Sequence, residues 1–325
     1  MKKITLSLAL ASTLAFGANE TFKFSGVHYL GFKHDSATNT NKFETRRNYF
    51  ELRAYPFENK KDYSRITFDT YQAANGSWNV RLKYGYLYLD NILPYTGVEV
   101  GLVHRPWIDF EEHHNWLFRS ISKTFIEGTP DLVNSADLGV NFKTKTQYFS
   151  SEVGLFNGSG YHGIKLGKGM SFEWRATAHL LGTGNKKEKS STTYADVSFF
   201  GQYGFDNVRN SNPANGKYVW YGINAVYNQP LFLVGATYLK TKDASASKAG
   251  SGWSVNAEIR PLKKVSLFGR YDDYKYDNGN RKKAIIAGAA YAYNSNVKFI
   301  LDYHQVKVNG AKTRDSIGLS TEVKW

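Results

Sequence analysis

The 325-residue chain contains no cysteine. That excludes a disulfide framework and a thiolate metal site. Proline is scarce, at 7 residues, so long stretches can pair as strands without losing ladder donors. Past the N-terminus no run approaches the roughly eighteen uninterrupted apolar residues of a membrane-crossing helix. Acids are in deficit: Asp+Glu total 28 against 42 Lys+Arg, for a net charge of +14. The basic residues are scattered and not gathered into a stripe, and the chain carries an export signal, so a nucleic-acid partner is not expected.

The export signal is Met1-Lys2-Lys3 followed by the apolar stretch Ile4 to Phe16, with Ala15 and Gly17 at the positions a signal peptidase reads. Residues 1–17 are the expected signal peptide and 18–325 the mature chain. Losing Lys2 and Lys3 leaves about +12.

Aromatic residues and glycine are abundant: Tyr 23, Phe 21, Trp 7, Gly 29. The mean hydropathy of −0.47 is that of a water-soluble protein. It is also what a membrane barrel averages to, because lipid-facing and lumen-facing residues alternate. The end of the chain shows that alternation clearly. Ile317, Leu319, Thr321, Val323 and Trp325 share one face; Ser316, Gly318, Ser320, Glu322 and Lys324 share the other.

The same period-2 rhythm recurs about every 19 residues. The segments are 22–32, 47–55, 65–71, 80–89, 98–105, 137–143, 151–156, 172–180, 194–203, 218–227, 231–240, 253–259, 265–274, 284–293, 297–305 and 314–325. They predict an all-β fold: a transmembrane antiparallel barrel of about 16 strands, with outer-membrane lipid around it. In nearly every segment charged residues fall on one phase and apolar residues on the other. In 80–89 the apolar phase is taken as Val80, Leu82, Tyr84, Tyr86 and Tyr88, opposite Arg81, Lys83 and Gly85.

One connection, Pro106 to Asn134, is too long for a simple loop and is expected to fold inward as a constriction. Leu117, Ile121 and Phe125, four residues apart, predict a short helix within Glu111 to Phe125. The segment carries Asp109, Glu111, Glu112, Glu127 and Asp131 against Arg119 and Lys123. The inward phase of the second to fifth segments carries Arg47, Arg53, Arg65, Arg81, Lys83 and Arg105 against Glu51, Asp69 and Glu99. An acidic segment opposite a basic wall would set a field across a narrow water path. Arg47, Arg81, Lys83 and Arg105 are the expected basic residues of the narrow point. Elsewhere the wall reads as nearly neutral, with Arg175, Arg260, Arg270 and Lys298 accompanied by Glu173, Glu258, Asp272 and Asp302.

Arg46-Arg47-Asn48-Tyr49, Val80-Arg81-Leu82-Lys83-Tyr84, and Val100 to Pro106 leading to Thr124-Phe125-Ile126-Glu127 resemble the phosphate-selective porin O/P family over residues 40–160. The resemblance implies a 16-stranded, trimeric outer-membrane channel that favours anions. Phosphate-selective members line the pore with a dense series of arginines and lysines; here wall bases alternate with acids and the long segment is acidic. A general porin passing ions and small solutes, with weak anion preference, fits this departure. The terminal Trp325 is similar to the aromatic end that barrel-assembly machinery recognises.

Other signals carry less. Glu111-Glu112-His113-His114 lacks a third ligand at metal-site spacing, so no metal or cofactor is expected. Gly182-Thr183-Gly184-Asn185-Lys186-Lys187 lacks phosphate-loop spacing, and Asn75-Gly76-Ser77 and Asn157-Gly158-Ser159 read as turns. His104, His179 and His304 lie in strands without a neighbouring serine–acid motif, so a hydrolase barrel is the alternative reading and not the first. A surface-binding barrel is the other alternative, against which the shortness of the remaining loops counts.

Overall fold

The computed structural model describes residues 21–73, 75–163, 169–186 and 189–325. The expected signal peptide lies outside the described residues.

Among the described residues sixteen strands form one sheet. They are β1 (Thr21–Asp35), β2 (Thr40–Tyr55), β3 (Tyr63–Gln72), β4 (Trp78–Leu93), β5 (Thr96–His104), β6 (Ala136–Lys145), β7 (Phe149–Phe156) and β8 (Met170–His179). There follow β9 (Tyr194–Phe205), β10 (Tyr218–Gln229), β11 (Phe232–Asp243), β12 (Gly250–Leu262), β13 (Val265–Tyr276), β14 (Arg281–Ala292), β15 (Val297–Val308) and β16 (Ala311–Lys324). Two short helices, α1 (Pro106–His114) and α2 (Phe125–Gly128), sit between β5 and β6.

Each strand pairs antiparallel with its sequence neighbours, and β1 closes the ring on β16, from Val27↔Lys324 to Asp35↔Ser316. Closure leaves no strand with an unpaired edge. That is the condition for backbone to lie in hydrocarbon, where an unpaired N–H or C=O costs several kcal/mol. The expected segments all appear as strands, most of them longer at one or both ends.

The two faces of the wall differ chemically. Along β12, Trp253, Val255, Ala257 and Ile259 are exposed while Ser254, Asn256 and Glu258 are buried. Along β10, Tyr221, Ile223 and Tyr227 are exposed, while Asn224 and Asn228 are buried. Leu301, Ile317 and Leu319 each expose more than half of their surface, at 55%, 57% and 54%. A continuous apolar exterior of this kind is unstable in water and favourable in lipid. Some exposed aromatics stand at strand ends: Tyr71 and Trp78 flank the β3–β4 turn, and Tyr291 and Tyr293 lead into the β14–β15 turn. Such rings suit the membrane–water boundary.

Register shifts interrupt six of the ladders, and two of them, in β2 and β4, bear on the basic wall. Tyr29 pairs with Arg47 and Leu30 with Thr45, which leaves Arg46 as an extra residue in β2. Thr67 pairs with Tyr84 and Phe68 with Leu82, which leaves Lys83 extra in β4. An extra residue moves every later side chain to the other face. This corrects the expectation for β4: Tyr84 and Tyr86, assigned to the apolar phase, are buried on the same side as Lys83.

Trp325 seals the closure. Its backbone N–H donates to the Gly26 carbonyl at 3.1 Å, and its own carbonyl accepts from the Gly26 N–H at 2.8 Å. Its ring stacks on His28 and lies 5.9 Å from Phe50. The indole covers Gly26 so closely that a Cβ there would overlap it. Gly26→Leu is therefore expected to destabilise the seam by about 1–3 kcal/mol, the usual cost of overpacking. The check is the fraction of refolded protein showing heat-modifiable migration on gels; a wild-type yield would refute the packing argument.

Candidate functional site

The connection between β5 and β6 starts with Pro106, whose fixed φ and missing N–H suit the first turn of α1. Asn115 ends that helix. The chain then turns through residues 115–124 before α2. The helix predicted across Glu111–Phe125 is thus displaced towards the N-terminus. Its apolar spacing has another cause: Leu117 bridges two patches of wall, one of which it shares with Ile121, and Phe125 reaches a third. Leu117 packs beside Tyr194, Val226 and Leu233. Ile121 joins Trp116 and Phe118 against Phe268, Ile286, Ala290 and Ile300. Phe125 packs with Trp107, Phe200 and Trp220.

Aromatic stacking and donors from the wall anchor the segment. Trp107 lies flat on Phe200, with centroids 3.7 Å apart and planes within 4°. Phe110 lies against the Arg175 guanidinium at 4.3 Å. Asn256 Nδ2 donates to the Asn115 carbonyl at 3.0 Å, Tyr194 Oη to the His114 carbonyl at 2.7 Å, and Tyr218 Oη to the Leu132 carbonyl at 2.9 Å. Arg270 Nη1 donates to the Lys123 carbonyl at 2.8 Å, and Thr129 Oγ1 to Asp272 Oδ2 at 2.7 Å. Lys248 pairs with Asp131 at 3.0 Å, and Arg46 Nη1 donates to the Ser120 carbonyl at 3.3 Å. Gly235 lets the chain come close: a Cβ there would collide with the Asn115 side chain.

Of the basic residues singled out in the sequence, Arg81 is paired with Asp69 at 2.9 Å. Arg105, the residue just before α1, is buried, bonded in two places to Glu173 and to Gln202 at 2.8 Å. It ties the root of the segment to β8 and β9. Arg47 and Lys83 have no carboxylate at ion-pair distance among the described residues. Lys83 donates to Tyr49 Oη, and Arg47 lies 4.7 Å from the Tyr49 ring centroid. Arg65 and Arg53 share Glu51, at 2.5 and 2.6 Å.

The segment's own charges divide. Arg119 is held by Glu112 at 2.9 Å and Glu127 at 2.6 Å. Asp109 lies 3.7 Å from His104 and 3.9 Å from Lys143. Burial opposes its ionisation, yet the nearby His104, His113 and Lys143 hold its carboxyl far below the usual range. Lys123 is exposed and has no ion-pair partner among the described residues. Glu111 turns away from these groups; its Oε1 accepts from the Phe125 N–H at 3.4 Å. Burial pushes its carboxyl up to about 7, against the pull of Arg270.

Two cavities flank the segment. One, of about 570 Å³, is bounded by Asp109, Glu112 and Arg119 on the segment and by Glu51, Arg65, Lys83, Glu99 and Lys143 on the wall. The other, of about 740 Å³, is bounded by Lys123, Arg270, Lys282 and Arg314, with no carboxylate among the described residues that line it. The sequence pattern leaves Lys282 in the turn before segment 284–293 and Arg314 at the very start of the last segment, but β14 begins at Arg281 and β16 at Ala311, which puts both residues on the wall. The same pattern misses Arg46 because the bulge hides its face. The neutral-wall pairings also differ: Arg175 pairs with Glu152 and Lys298 with Glu322, while Arg260–Glu258 and Arg270–Asp272 are as expected. Asp109, Glu112 and His113 offer donor atoms within 4.8 Å of one another. Lys143 and Arg119 already neutralise those carboxylates.

No protein-family model matches the chain, and no curated protein sequence matches it significantly. Solved structures do. The anion-selective porin of Comamonas acidovorans aligns over 94% of this chain and 100% of its own, at 8% identity and a TM-score of 0.69. OprB of Pseudomonas putida aligns over 94% of each chain at 8% identity and a TM-score of 0.70. OmpT of Vibrio cholerae, in a trimer form, aligns over 94% and 99% at 12% identity and 0.67. The chain therefore has the fold of bacterial outer-membrane porins; these matches give no support to the phosphate-selective O/P group in particular.

The raised Glu111 carboxyl sets a sign. A group whose folded pKa exceeds its unfolded one stabilises most below the unfolded value, near 4.5, and that contribution is lost as pH rises through about 7. Glu111→Gln should therefore raise the melting temperature more at pH 8 than at pH 5. Equal shifts at both pH values would show that the carboxyl does not titrate in the docked segment.

Proposed function

We propose that the chain forms an outer-membrane channel for passive diffusion of ions and small hydrophilic solutes, with a weak preference for anions. The observation that carries this reading is the closed sixteen-strand ring, apolar outside and polar inside, with cavities on both sides of residues 106–134. The segment's bonds to β2, β9, β10, β12 and β13, strands spread round the ring, support a course through the lumen that narrows the water path.

The anion preference rests on the wider cavity. Lys123, Lys282 and Arg314 carry charge there without a paired acid among the described residues, and low-dielectric walls concentrate their field. In the smaller cavity Glu51, Glu99, Asp109, Glu112 and Glu322 nearly offset Arg53, Arg65, Lys83, Arg119, Lys143 and Lys324, so discrimination there is small. The proposed constriction residues are Arg47, Lys83 and Arg81 on the wall and Asp109, Glu112, Arg119 and Lys123 on the segment. Homotrimeric assembly is part of the proposal, supported by the trimer form of the Vibrio cholerae neighbour. So is recognition of Trp325 by barrel-assembly machinery during insertion.

Planar-bilayer recording tests the reading. Under a potassium chloride gradient the wild type should give stable open-channel steps and a reversal potential on the anion side. Lys123→Glu with Lys282→Glu should move the reversal potential towards cations, and deletion within 115–122 should raise the single-channel conductance. A folded barrel that gives no conductance steps would sink the proposal. A reversal potential unmoved by the double substitution would remove the assignment of selectivity to the wider cavity.

A further inference from the structure

The outer face of the wall carries charge on one side only. Every Asp, Glu, Lys and Arg of β7–β10 is buried on the inward phase: Glu152, Glu173, Arg175 and Asp196. On β13–β16 the outward phase is apolar in mid-wall and turns basic at the rim opposite Trp325, where β13 and β15 end and β14 and β16 begin. Lys275, Arg281 and Lys312 are exposed there, and Lys283 and Lys307 partly so.

Register sets these bases side by side. Lys275 is directly opposite Arg281, Lys283 opposite Lys307, and Lys307 opposite Lys312. The bulge that leaves Thr313 as an extra residue in β16 is what turns Lys312 outwards beside Lys307. Like charges directly opposite on one face destabilise a sheet, and their repulsion grows where lipid lowers the dielectric. Two acids on the same face relieve part of it. Asp273 pairs with Arg281 at 2.5 Å and lies 3.9 Å from Lys283, and Asp315 pairs with Lys312 at 2.6 Å. Lys275 and Lys307 have no carboxylate at ion-pair distance among the described residues. The row therefore keeps an excess of positive charge. Towards mid-wall from it, Ile285, Tyr303 and Ile317 are exposed, followed by Leu301 and Leu319. What neutralises this row must carry negative charge at one end and hydrocarbon at the other.

We propose that Lys283, Lys307 and Lys312, flanked by Lys275 and Arg281, bind the phosphate groups of an outer-leaflet glycolipid whose acyl chains lie along Tyr303, Ile317 and Leu319. The proposal rests on the outer-membrane reading above. In that reading the rim with the long connections, 105–135 and 206–217, faces the cell exterior, and the rim with short turns such as 230–231 and 263–264 faces the periplasm. Neighbouring strands lie about 5 Å apart, so three lysines on adjacent strands make a strip about 10 Å long that can meet more than one phosphate. Each ammonium is a compact charge on a flexible stem, which suits phosphates held at no fixed angle.

The experiment uses full-length protein purified from membranes in detergent, with heat-modifiable migration confirming the barrel in every sample. Diphosphoryl lipid A is titrated in, and bound lipid is read by native mass spectrometry. Dephosphorylated lipid A with the same acyl chains should bind about 10²-fold more weakly, and so should diphosphoryl lipid A to the triple variant Lys283→Gln, Lys307→Gln, Lys312→Gln. Removing equal charge at the other rim, by Lys60→Gln, Lys263→Gln and Lys264→Gln, should leave binding at the wild-type level. Excess inorganic phosphate should displace little of the lipid, because it brings no acyl chains. Binding unchanged in the first triple variant, equal binding of the dephosphorylated lipid, equal loss in the control variant or full displacement by phosphate would each overturn the proposal. A second copy of the chain seated on this face would show as an altered oligomer on sizing of the first triple variant with lipid binding intact, which also overturns it. Bilayer conductance of the wild type reports on the channel separately, so the two readings can fail independently.

Discussion

The constraint on which the rest depends is the pairing of the backbone. In hydrocarbon no water replaces a missing partner, so each strand must find a neighbour on both sides. Sixteen strands achieve this only because β1 meets β16, and that junction is the one ladder between elements far apart in sequence. All other ladders join sequence neighbours. The last residue matters for this reason: Trp325 completes the ladder with its backbone and covers Gly26 with its ring. Once the ring is closed, the chemistry of each face follows from side-chain parity, reset wherever a bulge adds a residue.

Much of this was legible in the sequence, because a period of two needs only local inspection. The alternation of Ile317, Leu319 and Val323 with Ser316, Ser320 and Glu322 is the burial pattern observed in β16. What parity could not reveal is where it slips. Arg46 and Lys83 sit in bulges that depend on partner strands, and no local signal marks them. The tyrosines after Lys83 were therefore read onto the wrong face. Ion-pair partners were hidden for a related reason. Arg105 meets Glu173 across 68 positions of sequence, a pairing set by the path of the segment and not by strand alternation.

The long segment was recognisable from its length and charge, but its shape was not. Leu117, Ile121 and Phe125 imitate a helical stripe because four-residue steps also suit a chain that turns repeatedly while keeping its apolar side chains against the wall, Leu117 and Ile121 on a shared patch and Phe125 on another. Helix forms earlier, where Pro106 fixes the first turn and aromatic residues can lie flat on the wall. The acids then separate by role: Glu112 and Glu127 neutralise Arg119, Asp109 meets His104 and Lys143, and Glu111 is buried away from them.

The way the segment is held has a consequence for how the barrel responds to salt. Its attachment relies mainly on stacked rings and on wall donors bound to its carbonyl oxygens, interactions that dissolved salt scarcely weakens. The unpaired cations beside it act through open water, over a distance that shrinks to about 8 Å at 0.15 M ionic strength. In the proposed channel, sieving by size and sieving by charge would therefore be separable: as the surroundings grow saltier the opening beside the segment would keep its dimensions while any preference among ions would fade.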